Sequence, residues 1–240
     1  MLVSFTQTYG NDRTQLYEIY SKDEKLIEFK NLFDTNIHSF HNCHPKTIEK
    51  YKKFNKVKNT KYLYFNNIKY PLIIRKLRGE LFKLRCTHFF FSQDDTFSDN
   101  NNWIDWKEFL DYVKLYSENL MISLRWYPEY FRGDLKPLEI NETFKIYEKT
   151  SFDFYSIGGF SMDDSPYICT MDLFDKIYND EYMKLDNIWE AELYLMEKFS
   201  KENIPRFITD KSLFKCYNII GRTLGNKSRS IQELKRKKLL

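Results

Sequence analysis

Two adjacent carboxylates follow an apolar run in the first half of the chain. Residues 89–95 read FFFSQDD, so Asp94 and Asp95 come after three phenylalanines and two polar residues. A short apolar run of this kind predicts a strand that is buried on both faces. Because ligands of open α/β sheets bind in the crevice beyond the carboxyl ends of the strands, two carboxylates there suit a divalent cation that bridges a diphosphate.

The segments before this pair alternate between patterns typical of strands and of helices. Alternation of this kind predicts a parallel, Rossmann-like sheet with Asp94 and Asp95 at its carboxyl edge. An alternative is that the two acids only begin a turn and cap the segment that follows. The predicted strands are residues 2–8, 36–40, 62–65 and 87–92, and the predicted helices are residues 16–29, the segment from Pro45 onward and residues 71–84.

The second half of the chain is less regular than the first. A parallel first half joined to a mixed second half is a plan in which one half holds a nucleotide and the other shapes a substrate site. The patterns predict helices at residues 103–120, 173–178 and 187–200, and strands at residues 121–126, 152–160 and 166–170.

This order of motifs resembles the GT-A class of nucleotide-sugar glycosyltransferases, family 2-like, with Gln93-Asp94-Asp95 at the position of the DXD motif. The resemblance spans roughly residues 1–210. It implies an α/β fold with a mostly parallel, Rossmann-like central sheet flanked by helices, and with a mixed acceptor-side half.

The same resemblance gives an expected domain organisation. Residues 1–225 would form one GT-A-like domain, with a nucleotide-binding half at 1–100 and an acceptor half at 101–225. Residues 226–240 form a basic tail that carries six Lys or Arg residues and one Glu, a net charge of +5.

The resemblance also implies which residues hold the nucleotide. The end of the first strand and the turn after it contact the base, the middle of the motif faces the ribose, and side chains of the preceding helix reach the nucleotide or its phosphates. For the two helix arginines, ordinary exposed charges are an equal alternative. The residues implied are Thr6, Thr8 and Arg13 for the base, Asp94 for the ribose, Arg75 and Arg78 on the helix, and Gln93 as a hydrogen-bond acceptor.

The last acid of the motif, Asp95, is implied to bind Mn²⁺ or Mg²⁺ at the diphosphate. The chain departs from the family pattern in two ways. Gln93 replaces the usual first acid, and no histidine follows His88 to act as a late metal ligand. An acid such as Asp210, or water alone, would then complete the metal shell.

A glycine-containing loop at residues 158–170 reads GGFSMDDSPYICT. Glycines permit a close approach of backbone to ligand, and the resemblance implies that this loop lines the donor sugar and the acceptor. Gly159 and Asp163 are the candidate sugar or acceptor contacts, and Asp164 is a candidate catalytic acid. A plain loop with turn-forming acids is the alternative.

A candidate general base lies on the helix predicted at residues 187–200. There Glu192 shares a face with Leu195 and Phe199, whereas Glu190 lies about 200° away. A carboxylate among apolar neighbours has a raised pKa, which suits a base that takes a proton from a hydroxyl. The resemblance implies Glu192 as this base and Glu190 as the second candidate. An ordinary charge at the helix boundary is the alternative.

Three histidines are spaced as His38-x-x-His41-x-x-His44, with Cys43 among them. Their ligand types suit zinc, but no matching second pair occurs elsewhere. A loop that contacts the base, or plain loop residues, are favoured over a metal site.

Composition excludes several classes of protein. The chain has 240 residues, 42% hydrophobic and 30% charged, which excludes disordered and collagen-like chains. Without its tail the body carries a formal charge of −1, which argues against a nucleic-acid partner.

Four scattered cysteines and no apolar run of membrane-spanning length indicate a cytoplasmic protein without a transmembrane segment. The tail is a solvated end or a peripheral contact with anionic lipid.

These observations favour a metal-dependent glycosyltransferase that moves a sugar from a nucleotide-diphosphate donor to a hydroxyl of a glycan or glycoconjugate. A UDP-sugar is the favoured donor. The expected course is inverting with Glu192 as base, and retention stays open. Two alternatives remain: a non-catalytic α/β binding or assembly protein, and a metal-dependent nucleotidyltransferase. No Walker A, GxGxxG or GxSxG motif is present in the sequence.

Overall fold

The computed structural model describes residues 1–10, 14–99, 101–125, 135–149, 166–186, 188–205 and 207–216. The strands are β1 (Leu2–Tyr9), β2 (Thr35–His41), β3 (Thr60–Phe65), β4 (His88–Gln93), β5 (Thr96–Ser98), β6 (Met121–Ser123), β7 (Leu135–Ile140), β8 (Lys145–Lys149), β9 (Tyr167–Thr170), β10 (Phe207–Thr209) and β11 (Phe214–Cys216). The helices are α1 (Thr14–Tyr20), α2 (Glu24–Lys30), α3 (Pro45–Phe54), α4 (Tyr70–Lys83), α5 (Trp106–Val113), α6 (Met171–Ile177) and α7 (Ile188–Lys201).

Nine of the described strands form one sheet in the order β3-β2-β1-β4-β9-β6-β10-β8-β7. The pairs β3–β2, β2–β1, β1–β4 and β6–β10 are parallel, and β9 and β8 run against their neighbours. The chain builds outward from β1 through β2 to β3, then returns to place β4 on the other side of β1. The strand order therefore reverses between β1 and β4, which is where open α/β sheets bind ligands.

Strand alternation explains how the sheet packs on both faces. Val3 and Phe5 of β1 face a core with α4, α6 and α7, whereas Leu2 faces a core that includes α2 and α5. Phe89 and Phe90 of β4 divide between the same two cores. A strand covered on both faces can carry an almost continuous apolar run, and this is why FFF precedes the acidic pair.

The helices differ from the sequence prediction in their limits. The single helix expected over residues 16–29 is two helices: α1 ends at Tyr20, and Asp23 begins α2 as its N-cap by accepting a hydrogen bond from Leu26 N at 3.0 Å. The helix expected over residues 103–120 is shorter, since Asp105 caps α5, which ends at Val113. An aspartate at the N-cap competes with helix continuation.

The second half contributes strands that apolar runs alone did not indicate. The hairpin of β7 and β8 is mostly half-exposed, and β10 and β11 are three residues each, as is β5 at the end of the first half. Short strands like these give almost no periodic signal. The strand expected over residues 152–160 lies outside the described residues.

The predicted fold class is confirmed. The protein is a mixed α/β fold with a large, mostly parallel sheet flanked by helices, and its second half is mixed in strand direction. Among the helices that the structure describes, none combines the length and the apolar character needed to cross a membrane.

Replacing Phe90 by Ala should lower the free energy of unfolding by about 3–5 kcal/mol, because the side chain is fully buried against Phe29 and Phe214 at ring-centroid distances of 4.9 and 5.5 Å. Phe82→Ala is the matched control, since Phe82 is 53% exposed on α4, and should cost less than about 1 kcal/mol. Urea unfolding measures both, and equal costs would contradict this packing.

Candidate functional site

The acidic pair lies where the strand order reverses. β4 ends at Gln93, and the backbone N–H of Asp94 donates to the carbonyl of Gln7 on β1 at 3.0 Å. Asp94 and Asp95 are 1% and 4% exposed. The chain then enters β5, which pairs antiparallel with β11. The two carboxylates are therefore held in a tight turn between two strand pairings at the carboxyl edge of the sheet.

Thr6 and Thr8 belong to a buried ladder of polar side chains on the face covered by α1, α2 and α3. The hydroxyl of Thr8 contacts Nε2 of His38 at 2.9 Å, and the hydroxyl of Thr6 contacts that of Ser92 at 3.2 Å. One pair lower, Ser4 donates to Asn36. Each rung joins β1 to a neighbouring strand, so the ladder fixes the strands that carry the carboxyl edge.

Lys30, the last residue of α2, completes this ladder. Its ammonium donates to the hydroxyls of Thr6 at 2.5 Å, Tyr20 at 2.7 Å and Ser92 at 3.4 Å. Lys30 is 2% exposed. It also lies 5.0 Å from the centre of the Tyr20 ring. All three hydrogens of the ammonium thus have oxygen acceptors, and none of these acceptors is charged.

The electrostatics of the ladder follow from this burial. Burial lowers the pKa of Lys30 to about 7, against the opposing effect of the Asp23 and Asp94 carboxylates. Burial, together with the Lys30 charge, lowers the pKa of His38 well below its usual value. Burial also raises the pKa of Tyr20. At neutral pH, Lys30 is therefore the group of this face that is near its titration midpoint, whereas His38 and Tyr20 are neutral.

The opposite side of the edge is aromatic. The rings of Tyr9 and His41 lie 4.3 Å apart between centres, and Tyr70 at the start of α4 lies 6.4 Å from Tyr9. His41 bonds Ser39 through Nε2, and burial lowers its pKa to about 3. Gly10 follows with a φ of 65°, a left-handed conformation that glycine adopts without strain. These three rings form an aromatic wall at the end of β1.

Asp23 fixes the segment that follows the acidic pair. Its carboxylate accepts hydrogen bonds from Ser98 N at 2.8 Å and Ser98 Oγ at 2.5 Å, as well as the capping bond from Leu26 N. Helix α2 therefore holds the acidic turn from both sides: Lys30 holds the strands before it and Asp23 holds β5 after it.

The two helix arginines do not share one environment. Arg75 is exposed on α4. Arg78 forms an ion pair with Asp175 of α6, with Nε and Oδ1 2.6 Å apart. This pairing commits Arg78 to the contact between two helices. The implied nucleotide contacts of both residues stay predictions.

The N-terminal end of α7 faces the same edge of the sheet as the start of α4. Asp186, just before α7, forms an ion pair with Lys69, the N-cap residue of α4. Glu190 is exposed and accepts a hydrogen bond from Asp186 N at 2.9 Å. Glu192 lies within α7, but its side chain is outside the described part of the structure. Leu195, which shares its helical face, is buried.

Several sequence candidates lie outside the described residues. They are Arg13, Gly159, Asp163 and Asp164. The three spaced histidines are separated: His38 and His41 lie on opposite faces of β2, and His44 caps α3 by accepting from Lys46 N at 3.2 Å. Within the described ranges, no three His, Cys, Asp or Glu residues form a group that could hold a metal.

The acidic turn nevertheless fits one kind of metal. Mg²⁺ and similar ions commonly bind one or two carboxylates and complete their shells with water and substrate phosphates. Asp95 and Asp94 supply two such carboxylates, which are 4% and 1% exposed in the turn. Asp210 follows β10, three strand positions from β4, or about 14 Å at ordinary strand spacing. Among the described residues, Asp94, Asp95 and Asp210 do not form a group that could hold a metal, and Asp210 as a ligand stays a prediction.

Sequence reasoning missed Lys30 and Asp23. A lysine in the last turn of a helix and an aspartate before one are the ordinary residues for those positions, so neither stood out. The ladder did leave a signal, since Ser4, Thr6 and Thr8 recur at every second residue of β1. Such spacing places three hydroxyls on one face, where an apolar face would be expected.

No family model matches the chain, and no curated protein matches it either. Solved structures do match. TarS 1–349 of S. aureus aligns with a TM-score of 0.54 at 12% identity, over 97% of this chain and 64% of TarS 1–349. UTP-bound UGPase from Acinetobacter baumannii aligns at 0.51 and 8% identity, over 100% and 95% of the two chains. A 4-diphosphocytidyl-2C-methyl-D-erythritol synthase from Anaerococcus prevotii aligns at 0.50 and 12% identity, over 98% and 96%.

Identities this low show the fold alone. The chain has the mixed, Rossmann-like α/β fold that the sequence resemblance implied, and it shares that fold with TarS 1–349, with the UGPase and with the erythritol synthase. The chain spans under two-thirds of the length of TarS 1–349.

Asp23→Ala should destabilise the protein more than Asp105→Ala does. Both residues cap a helix, at a cost of about 1 kcal/mol, but Asp23 also accepts two hydrogen bonds from Ser98. Charged hydrogen bonds of this kind add about 1.5–3 kcal/mol. Urea unfolding measures the difference, and hydrogen exchange of the Ser98 amide should accelerate only in Asp23→Ala. Equal costs and unchanged exchange would show that Asp23 does not fix β5.

Proposed function

We propose that the chain is a glycosyltransferase that uses a nucleotide-diphosphate sugar as donor. The observation that carries this proposal is the acidic turn of Asp94 and Asp95 at the switch point between β1 and β4. A ligand placed there lies beside Thr8 and the aromatic wall of Tyr9 and His41. The location is the one at which doubly wound sheets bind nucleotides.

Uracil is the proposed base of the donor nucleotide. One structure with the same fold, TarS 1–349, is described in complex with UDP, and it aligns with a TM-score of 0.53 at 13% identity. In this chain the base would lie against the end of β1, near Thr6, Thr8 and Arg13, and Asp94 would accept hydrogen bonds from the ribose. Gln93, Arg75 and Arg78 stay candidate nucleotide contacts.

Asp95 is the proposed ligand of Mn²⁺ or Mg²⁺. When bound, such an ion would neutralise charge on the departing diphosphate. Asp95 contributes a carboxylate that is buried in a turn held by β1 and β5, so its position is fixed before any ligand arrives. Preorganised charge of this kind stabilises the transition state without a reorganisation cost.

Glu192 is the proposed general base. An acceptor hydroxyl would lose its proton to Glu192 and attack the anomeric carbon, while the bond from that carbon to the diphosphate oxygen breaks. Attack from the face opposite the diphosphate inverts the configuration. Glu190 and Asp164 are the second candidates, and Gly159 and Asp163 are the candidate contacts of the donor sugar or the acceptor.

The proposed acceptor is a hydroxyl of a glycan or glycoconjugate in the cytoplasm. The basic tail of residues 226–240, with a net charge of +5, offers peripheral contact with an anionic lipid surface if the acceptor is membrane-bound. A nucleic-acid partner is not proposed, because the remaining body is close to neutral.

A nucleotidyltransferase is the second candidate. It is favoured by the nearly complete coverage of two nucleotidyltransferase chains, 95% and 96%, in contrast to the partial coverage of TarS 1–349. In that reaction a sugar phosphate would attack a nucleoside triphosphate and release pyrophosphate. A non-catalytic binding protein is the third candidate, and it predicts no metal-dependent nucleotide binding at all.

Calorimetric titration should show Mn²⁺-dependent binding of UDP-glucose by the wild-type protein. Asp95→Asn should weaken it by about a hundredfold, because one metal ligand loses its charge. Asp111→Asn, which alters an exposed aspartate paired with Lys114, is the matched control and should bind as the wild type does.

The same titration separates the candidates. Pyrophosphate release from UTP with glucose 1-phosphate would favour the nucleotidyltransferase. Absence of binding to UDP-, GDP- and CMP-based ligands would remove both enzymes and leave the binding protein. Binding that survives in Asp95→Asn would remove the metal assignment.

Glu192→Gln should lower the turnover number of sugar transfer by about a hundredfold or more while UDP-glucose affinity stays within about twofold of the wild type, because the change removes a proton acceptor and keeps the shape. Steady-state kinetics of transfer from UDP-glucose to a glycan acceptor, together with calorimetry, measure the two effects. Glu190→Gln is the matched variant on the same helix. A larger loss in Glu190→Gln would reverse their roles, and loss of binding in Glu192→Gln would indicate a structural residue.

A further inference from the structure

Lys30 is a buried charge that the proposed chemistry does not use. It is 2% exposed and donates to three neutral hydroxyls, those of Thr6, Tyr20 and Ser92. Burying an ammonium is costly unless an opposite charge or a function offsets the loss of water. A methionine or leucine would fill the same space without that cost, so the position of the charge calls for a physical reason.

The position of Lys30 relative to the acidic turn supplies such a reason. Thr6 of β1 and Ser92 of β4 are register partners. Ser92 comes two residues before Asp94, whose N–H is bound to Gln7 on the same β1. The ammonium therefore joins β1 to β4 directly beneath the turn. Asp94 lies in the turn just after β4, and its carboxylate is near enough to the Lys30 ammonium to oppose the lowering of the pKa of Lys30.

Titratable groups face Lys30 from each element packed around it. They are Tyr20 from α1, Asp23 from the cap of α2, His38 from β2, Tyr51 from α3 and Asp94 from the end of β4. The tyrosines are held neutral because burial raises their pKa values, and His38 is held neutral because burial lowers its pKa. Asp23 is engaged by Ser98 and Leu26. Asp94 is the acid of this set that lies in the acidic turn.

We infer that Lys30 is a positioning residue that holds Asp94 in place for the nucleotide, and that the proton on its ammonium is linked to nucleotide binding. The inference rests on the proposed function for its ligand. Lys30 itself touches neither nucleotide nor metal. It acts through the Thr6–Ser92 pair, which sets the spacing of β1 and β4, and through its charge, which attracts the Asp94 carboxylate.

The linkage has a definite sign. The protonated ammonium makes charge-assisted hydrogen bonds, which are stronger than those of the neutral amine, and attracts Asp94. Burial lowers the pKa of Lys30 to about 7, so these interactions are complete below that pH and fade above it. Nucleotide affinity should therefore fall as the pH rises from 6 to 8.

Titration of UDP-glucose at saturating Mn²⁺ tests the linkage, because the diphosphate diester does not titrate in this range. The wild-type affinity should fall by about threefold or more between pH 6 and pH 8. Lys30→Met should bind at pH 6 as weakly as the wild type does at pH 8, with no further dependence on pH. Lys22→Met, which changes an exposed lysine beside α2, should keep the wild-type profile.

Hydrogen exchange tests the positioning role without any ligand. At pH 6 the Asp94 amide, bonded to Gln7 O, should exchange about tenfold faster in Lys30→Met. The amides of β2 that pair with β3 should not change. If Lys30→Met does not fold, Tyr20→Phe replaces it: loss of one acceptor of the ammonium should move the midpoint of the pH profile to lower pH.

The outcomes separate the two proposals. If the wild type binds no UDP-, GDP- or CMP-based ligand, the proposed function and the linkage both fail, and the Asp94 exchange rate alone decides the positioning role. If the wild type binds and Lys30→Met keeps the wild-type affinity and pH profile, the linkage is wrong while the proposed function stands. Unchanged exchange at Asp94, or an unmoved midpoint in Tyr20→Phe, overturns the positioning role.

Discussion

The parallel pairing of β1 with β4 is the interaction on which the candidate site depends. The strand order reverses there, and open α/β sheets bind ligands beyond the carboxyl ends of the strands at such a point. The backbone bond from Asp94 to Gln7 extends the pairing by one residue beyond β4. The acidic turn is thus an extension of the sheet and not a free loop, which gives its carboxylates a fixed position.

Holding this pairing requires polar groups in a buried place. A face made only of apolar residues would be cheaper to bury, yet β1 presents Ser4, Thr6 and Thr8 there, all at or below 3% exposure. Hydrogen bonds between the strands compensate each hydroxyl, and a satisfied ladder fixes one register more strictly than apolar packing does. A slip of one residue would exchange this face for the other and remove Asp94 from the crevice.

The sequence predicted the elements that have strong local signals. Because β1 and β4 are buried on both faces, their sequences contain apolar runs that predict strands. The acidic turn could be predicted because charged residues must follow such a strand rather than lie within it. The sequence did not predict that Lys30 and Asp23 support the site, since both occupy ordinary positions at helix ends. Their role is evident only from their tertiary contacts. Short strands such as β5 and β11 exist because they pair with each other, and nothing in three residues predicts that pairing.

Helix α2 shows how a small element can control a site that it does not line. It has seven residues, too few to be stable alone in water, so its contacts with the sheet determine whether it forms. Leu26 and Phe29 pack in the core, whereas the polar contacts lie at the two ends, at Asp23 and Lys30, and each end holds one side of the acidic turn. Stability of the helix and geometry of the turn are therefore coupled: loosening either end frees a strand next to the carboxylates. The coupling also explains why a charged residue is kept at the buried end, since a lysine can reach three hydroxyls on separate elements at once, which no apolar side chain of that size can do.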